Sequence, residues 1–164
     1  MSLNATAYKL SVTNASASTV RVVDIVPVIT KRTAAIDTTL IEPLGGEADD
    51  TIPTELDLND RNPVFTENGK SYFDYTTQVL KPGESFVMAV ESKLTDREYV
   101  EYHLRLDYID DKGKKHSLQV NEDPESPRHV FHVSGAVDDD EYTDHWRPAA
   151  SGQAWTLSAP GGGS

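Results

Sequence analysis

Val100-Glu101-Tyr102-His103-Leu104-Arg105-Leu106-Asp107-Tyr108 alternates apolar with polar side chains without a break. Successive side chains of an extended strand point to opposite faces. The alternation therefore predicts a strand with Val100, Tyr102, Leu104, Leu106 and Tyr108 on a core and Glu101, His103, Arg105 and Asp107 in water. Asp110-Asp111-Lys112-Gly113 then supplies hairpin chemistry, and His116, Leu118 and Val120 alternate on the return. Paired residues in a hairpin keep a constant sum of numbers. If Asp110 and Lys114 close the turn, Tyr108 faces His116 and Leu106 faces Leu118, a register in which the apolar faces coincide.

Upstream, Ser85 to Ser92 reads as a strand with Phe86, Met88 and Val90 on one face. It follows Lys81-Pro82-Gly83-Glu84, where proline before glycine suits a type II turn. Ser71 to Val79 reads as a further strand. Near the start, Tyr8, Leu10 and Val12 alternate with Lys9, Ser11 and Thr13 before a turn at Asn14 to Ser18. Thr19 to Lys31 is rich in Val and Ile, and its Pro27 implies an edge position, a bulge or a break, because proline cannot donate to a ladder. Ile36 to Glu42 and His129 to Val133 read as short strands. No stretch sustains a 3.6-residue period, so any helix is expected to be short.

Residues 43–69 are punctuated by Pro43, Gly45, Gly46, Pro53, Pro63 and Gly69, and read as one long loop that Leu56, Leu58, Val64 and Phe65 could pin to the body. Short strands, Pro/Gly turns and no alternating helices predict an all-β antiparallel sandwich. The expected organisation is a sandwich domain over 1–134, carrying the acidic loop 43–69, and an extended C-terminal arm over 135–164.

Leu80-Lys81-Pro82-Gly83-Glu84-Ser85-Phe86, the strand Tyr102-His103-Leu104-Arg105-Leu106 and the hairpin Tyr108-Ile109-Asp110-Asp111-Lys112-Gly113 resemble the later strands of immunoglobulin-like accessory domains. Val12-Thr13-Asn14 is similar to their first strand. The resemblance spans roughly residues 7 to 133 and implies the immunoglobulin-like form of the sandwich. Antibody-type cysteines and the core tryptophan are missing, so it concerns architecture alone.

A chain of 164 residues fits one domain with an arm. It holds no cysteine, which excludes a disulfide scaffold, a zinc ribbon, a thiol nucleophile and an iron–sulfur cluster. The net charge of −12 argues against nucleic acid and against anionic membranes, since both are bound by replacing counterions with Lys and Arg. No secretory leader and no run of apolar residues long enough to span a bilayer is found, so a soluble protein of cytoplasm or virion is expected. Asn4-Ala5-Thr6 and Asn14-Ala15-Ser16 match the glycosylation sequon, a pattern that also arises by chance.

No nucleophile elbow, glycine-rich phosphate loop or paired-histidine metalloprotease motif is present. His129 and His132 would point to opposite faces of a strand, and Asp57-Leu58-Asn59-Asp60-Arg61-Asn62 has Arg61 where a calcium loop needs an oxygen ligand. No enzyme activity, cofactor or metal is expected. Partner contact is expected from two places. Eight acidic residues and no Lys or Arg lie between Arg32 and Arg61, with Asp49 and Asp50 at the centre. This is either a solvated loop or a surface for a basic partner. The arm carries Tyr142 and both tryptophans, Trp146 and Trp155, among few aliphatic residues, so these rings pack either on their own domain or on a neighbouring subunit. The expected function is a non-enzymatic protein–protein interaction module. The alternative is a structural subunit, among like subunits, of a large homo- or hetero-oligomeric assembly such as a phage virion or tail.

Overall fold

The computed structural model of the chain describes residues 5–35, 39–41, 51–122, 130–135, 144–148 and 155–158. In chain order the elements are β1 (Ala5–Thr13), β2 (Val20–Ala34), β3 (Thr39–Ile41), β4 (Ile52–Asp57), β5 (Phe65–Glu67), β6 (Lys70–Ser71), α1 (Tyr72–Tyr75), β7 (Gln78–Leu80), β8 (Ser85–Lys93), β9 (Glu98–Ile109), β10 (Lys115–Val120), β11 (Phe131–Ser134), β12 (Asp144–Pro148) and β13 (Trp155–Ser158). One sheet is ordered β1-β8-β4-β5-β6 and the other β10-β9-β2-β7, with β11 pairing β9 beyond the end of β10. Pairing in both is antiparallel except between β4 and β8. The result is an all-β sandwich.

The alternation in β9 does what it predicts. Val100, Tyr102, Leu104 and Leu106 are buried and Arg105 is exposed. His116 lies opposite Tyr108 and Leu118 opposite Leu106, with the turn closed by the Asp110 N–H donating to the Lys114 carbonyl at 3.0 Å. Gly113 takes φ 79° there, a left-handed conformation that favours glycine. Gly83 plays the same part in the turn before β8, with φ 80° and the Glu84 N–H on the Lys81 carbonyl. Phe86, Met88 and Val90 of β8 are buried with Leu10, Leu56, Phe65, Val22, Ile25 and Leu80 in one cluster between the sheets.

Pro27 lies on an edge, as its missing N–H requires. β7 pairs only residues 20–22 of β2, so beyond Val22 β9 is the one ladder partner of β2 among the described residues. Register shifts between Val22 and Asp24 and between Ile29 and Lys31 bend the strand on both sides of it.

Two expectations are corrected. Ser71 to Val79 is not one strand: β6 ends at Ser71, Tyr72–Tyr75 form a helical turn, and β7 begins at Gln78. Neighbours on a strand would point Tyr72 and Phe73 to opposite faces. The helical turn lets both rings pack on the core, edge to face at 4.9 Å, and leaves Tyr75 79% exposed. Nor is 43–69 loop throughout. Ile52–Asp57 is a central strand, and Thr54 and Leu56 of it are buried, followed by Leu58 and then Phe65 in β5. Pro53 masks this alternation in the sequence, yet its side chain lies on the exposed outer face.

The turn after β4 is sewn to the body by polar bonds. Asn59 Oδ1 accepts from the N–H groups of Thr95 and Asp96, each at 2.9 Å. Arg32 donates to Glu98 Oε2 at 2.6 Å and to the carbonyls of Leu58 and Asp60 at 2.8 and 3.1 Å. Within the expected arm, β12 pairs antiparallel with β13 and parallel with β3 of the same chain.

Candidate interaction groove

Closing a sandwich leaves four sheet edges, and an edge strand keeps half of its backbone donors and acceptors unpaired. β1 is bonded only to β8, and β10 only to β9, among the described residues. These two edges border the same trough. One stretch is a cleft of about 360 Å³ whose floor is Leu10, Val22, Leu80, Leu106 and Val120, with Leu118 at the mouth. A second, of about 420 Å³, shares Leu10, Ser11 and Val120 with the first and continues along β1 to Phe131 and His132.

Hydrogen-bond phase decides which backbone groups of β1 face outward. The Asn14 N–H donates to the Glu84 carbonyl at 2.9 Å, and these residues are directly opposite in the β1/β8 register. In an antiparallel pair, bonded rungs alternate with non-bonded ones. Val12, Leu10 and Tyr8 therefore bond to β8, while Ala7, Lys9, Ser11 and Thr13 turn their N–H and C=O groups to the free edge. The Asp110–Lys114 bond sets the phase of β10 in the same way, leaving Lys115, Ser117 and Gln119 outward.

Polar locks fix both ends of the trough. At one end Asn14 is buried; its Nδ2 donates to the carbonyls of Ser18 and Leu80 at 2.8 and 2.9 Å, and its Oδ1 accepts from Ser16 N and Oγ. The nitrogen a glycan would need is thus engaged inside the fold, so the second sequon is a structural asparagine. At the other end Tyr8 stacks on Phe131 at 4.8 Å and Tyr102 stacks on it at 5.3 Å. The two tyrosine hydroxyls bond across the sheets at 3.1 Å. Burial pushes both tyrosine hydroxyls above their usual pKa, so they stay protonated donors.

Elsewhere the polar groups are consumed by local structure. His116 stacks on Tyr108 at 4.9 Å and its Nε2 meets Asp110 Oδ2 at 2.8 Å. That hydrogen bond, with the Lys114 and Lys112 N–H groups on Oδ1, holds the Asp110 carboxyl below its ordinary range. The nearby Ser117 hydroxyl donates to Asp107 Oδ1 at 2.6 Å, not to His116. Asp57 and Asp60 accept from Asn59 and Asn62 within their own turn. Among the described residues no three of His, Asp and Glu are grouped to hold a metal ion, and no helix is long and apolar enough to cross a membrane.

Asp24 is less favourably placed. It sits opposite Asp107 on β9, with Asp74 of α1 and Arg105 nearby, and burial first, then the two carboxylates, raises its pKa despite the Ile25 N–H and Arg105. A folded-state value above the unfolded one favours protonated Asp24. The stability involved is complete below the unfolded value of about 3.9 and is lost as pH rises through the folded one. Asp24→Asn is therefore expected to raise the thermal midpoint at neutral pH, with the two midpoints converging at acid pH. A pH series of melting curves checks this.

Of the residues singled out from the sequence, Trp146 lies on β12 opposite Leu157 and Ile41, and Trp155 lies on β13 opposite Pro148. Both belong to the three-stranded sheet β13-β12-β3. Tyr142, Asp49 and Asp50 lie outside the described residues. The trough between β1 and β10 was not singled out. Its signal was present in the alternation of β1 and in the lack of any Asp or Glu in either edge strand.

The fold and the trough define a two-sheet sandwich with an apolar cleft between open strand edges. No protein-family model, curated protein or solved structure matches the chain.

Proposed function

We propose that the protein is a non-enzymatic interaction module of the immunoglobulin-like kind, which contacts another protein through the trough between β1 and β10. The observation that carries this is the trough itself, an apolar floor flanked by two strands that have no second ladder partner among the described residues. Extended segments bind such edges through main-chain hydrogen bonds and gain specificity from alternate side chains. The immunoglobulin-like assignment rests on connectivity: β1 and β8 share one sheet, β2, β9 and β10 share the other, and both β1 to β2 and β8 to β9 cross between sheets. This follows the second, fifth, third, sixth and seventh strands of that fold, so β1 takes the second place and not the first that the likeness of Val12-Thr13-Asn14 implied. The parallel β4 departs from it.

The same open edges favour a second reading, a structural subunit whose edges pair with neighbouring copies in an assembly. Sedimentation velocity over a wide concentration range separates the two. A module is expected to remain monomeric, whereas concentration-dependent growth that Ser11→Pro abolishes would replace the module reading with the subunit reading.

A further inference from the structure

Resting on the module reading, we infer that the trough takes one kind of partner segment: an extended strand, alternating apolar with acidic side chains, that adds to β1. The warrant is the charge and phase of the two walls. β1 and β10 contain no Asp or Glu, although the chain as a whole carries a net charge of −12. Their outward side chains are Ala7, Lys9, Ser11 and Thr13 on one wall and Lys115, Ser117 and Gln119 on the other, all exposed. The turn that leads into β10 balances Lys112 and Lys114 against Asp110 and Asp111, so the positive charge of the two walls comes from Lys9 and Lys115. The acidic groups beside the two walls are Asp107, held by the Ser117 hydroxyl, Glu91 of β8 opposite Ala7, and Glu122 at the far end, 3.9 Å from His132 Nδ1; none of them belongs to β1 or β10 themselves.

A strand added to β1 must continue the pleat of that sheet. Every second side chain then points into the cleft, against Leu10, Val12, Leu106, Leu118 and Val120, and must be apolar. The intervening side chains lie on the outer face level with Lys9 and its neighbours, where a carboxylate is favoured and an ammonium opposed. The same argument turns away a second copy of this chain. Pairing β1 with β1, or β1 with β10, sets lysines of one copy among lysines of the other and desolvates like charges. Glycine-free, proline-free β1 can accept such a strand along its length.

The test uses nine-residue acetylated peptides in which valine alternates with glutamate, serine or lysine, titrated into the intact chain and followed by backbone amide NMR shifts. The glutamate peptide is expected to move the amides of Lys9, Ser11 and Thr13 most and to bind at least about tenfold more tightly than the lysine peptide. Its affinity is expected to fall with salt, and Lys9→Glu combined with Lys115→Glu to reverse the order. Ser11→Pro removes an N–H directed at the edge, so it should abolish binding while the melting curve stays close to wild type. Equal binding of all three peptides at β1 would overturn the acidic specificity and leave the module reading standing. Shifts confined to β10 would overturn the assignment to β1 and leave the module reading standing, whereas shifts confined to strands away from the trough, or no binding of any peptide, would overturn both.

Discussion

Tyr102→Ala is expected to destabilise the domain by about 3 to 5 kcal/mol, the range for emptying a buried aromatic site. Tyr102 is fully buried at the centre of β9, stacked on Phe131, with its hydroxyl bonded to Tyr8. Removing the ring opens a cavity between the sheets and leaves the Tyr8 hydroxyl without its cross-sheet partner. Tyr102→Phe isolates the second effect and should cost about 1 to 3 kcal/mol, the penalty for an unsatisfied buried polar group. Arg105→Ala, on the opposite face of the same strand, is the control. Its guanidinium reaches Asp107 at 3.1 Å, but the side chain is half exposed, and an exposed ion pair contributes little. A change within about 0.5 kcal/mol is expected. Urea unfolding of the three variants gives the order directly. An Arg105→Ala variant less stable than Tyr102→Ala would mean that the facing of β9 is reversed.

Asn14→Asp is expected to be the most damaging single-atom change in the chain. The amide nitrogen donates to two carbonyls, those of Ser18 and Leu80, and so ties the first turn to the strand β7 in the other sheet. A carboxylate oxygen in that place faces two acceptors without a proton and in a buried setting. The cost should exceed the roughly 1 to 3 kcal/mol expected for Asn14→Ala, which leaves the two carbonyls and the Ser16 N–H and hydroxyl without their side-chain partner but places no charge there. The sign of the pH dependence follows. The introduced carboxyl would have a raised folded-state pKa, so its penalty should shrink as pH falls and the protonated form donates one bond again. Guanidinium unfolding of Asn14→Asp and Asn14→Ala at neutral and acid pH checks the ranking. Equal stability of the two variants at neutral pH would show that Nδ2 is not the atom that holds the turn.

The strands read most securely from the sequence are those whose alternation is unbroken and whose turns carry glycine where φ must be positive. Leu106 opposite Leu118 follows from Asp110 and Lys114 alone, because a tight hairpin leaves no freedom in register. β4 was harder. Pro53 and the surrounding carboxylates suggest loop, yet Thr54, Leu56 and Leu58 are drawn into the core once β8 lies alongside. Parallel pairing with a strand about 35 residues away leaves no local signature, since nothing in the intervening turn chemistry specifies it. The helical turn at Tyr72 was hidden for a related reason: two adjacent aromatic residues suit a strand by propensity, and only the position of the core makes both point one way.

The sequence by itself determined an all-β sandwich, the facing and register of β9 and β10, an irregularity or edge at Pro27 and the turns at Gly83 and Gly113. Each of these depends on near neighbours or on the period of two along a strand. Tertiary structure alone decided that β1 and β10, separated by about a hundred residues, border one trough, and that Asn14 and Tyr102 lock its ends. It also decided that β12 runs beside β3. The physical reason is that which edges meet is set by how two sheets close on a shared core. That depends on long-range packing, to which every strand contributes and which no single segment encodes.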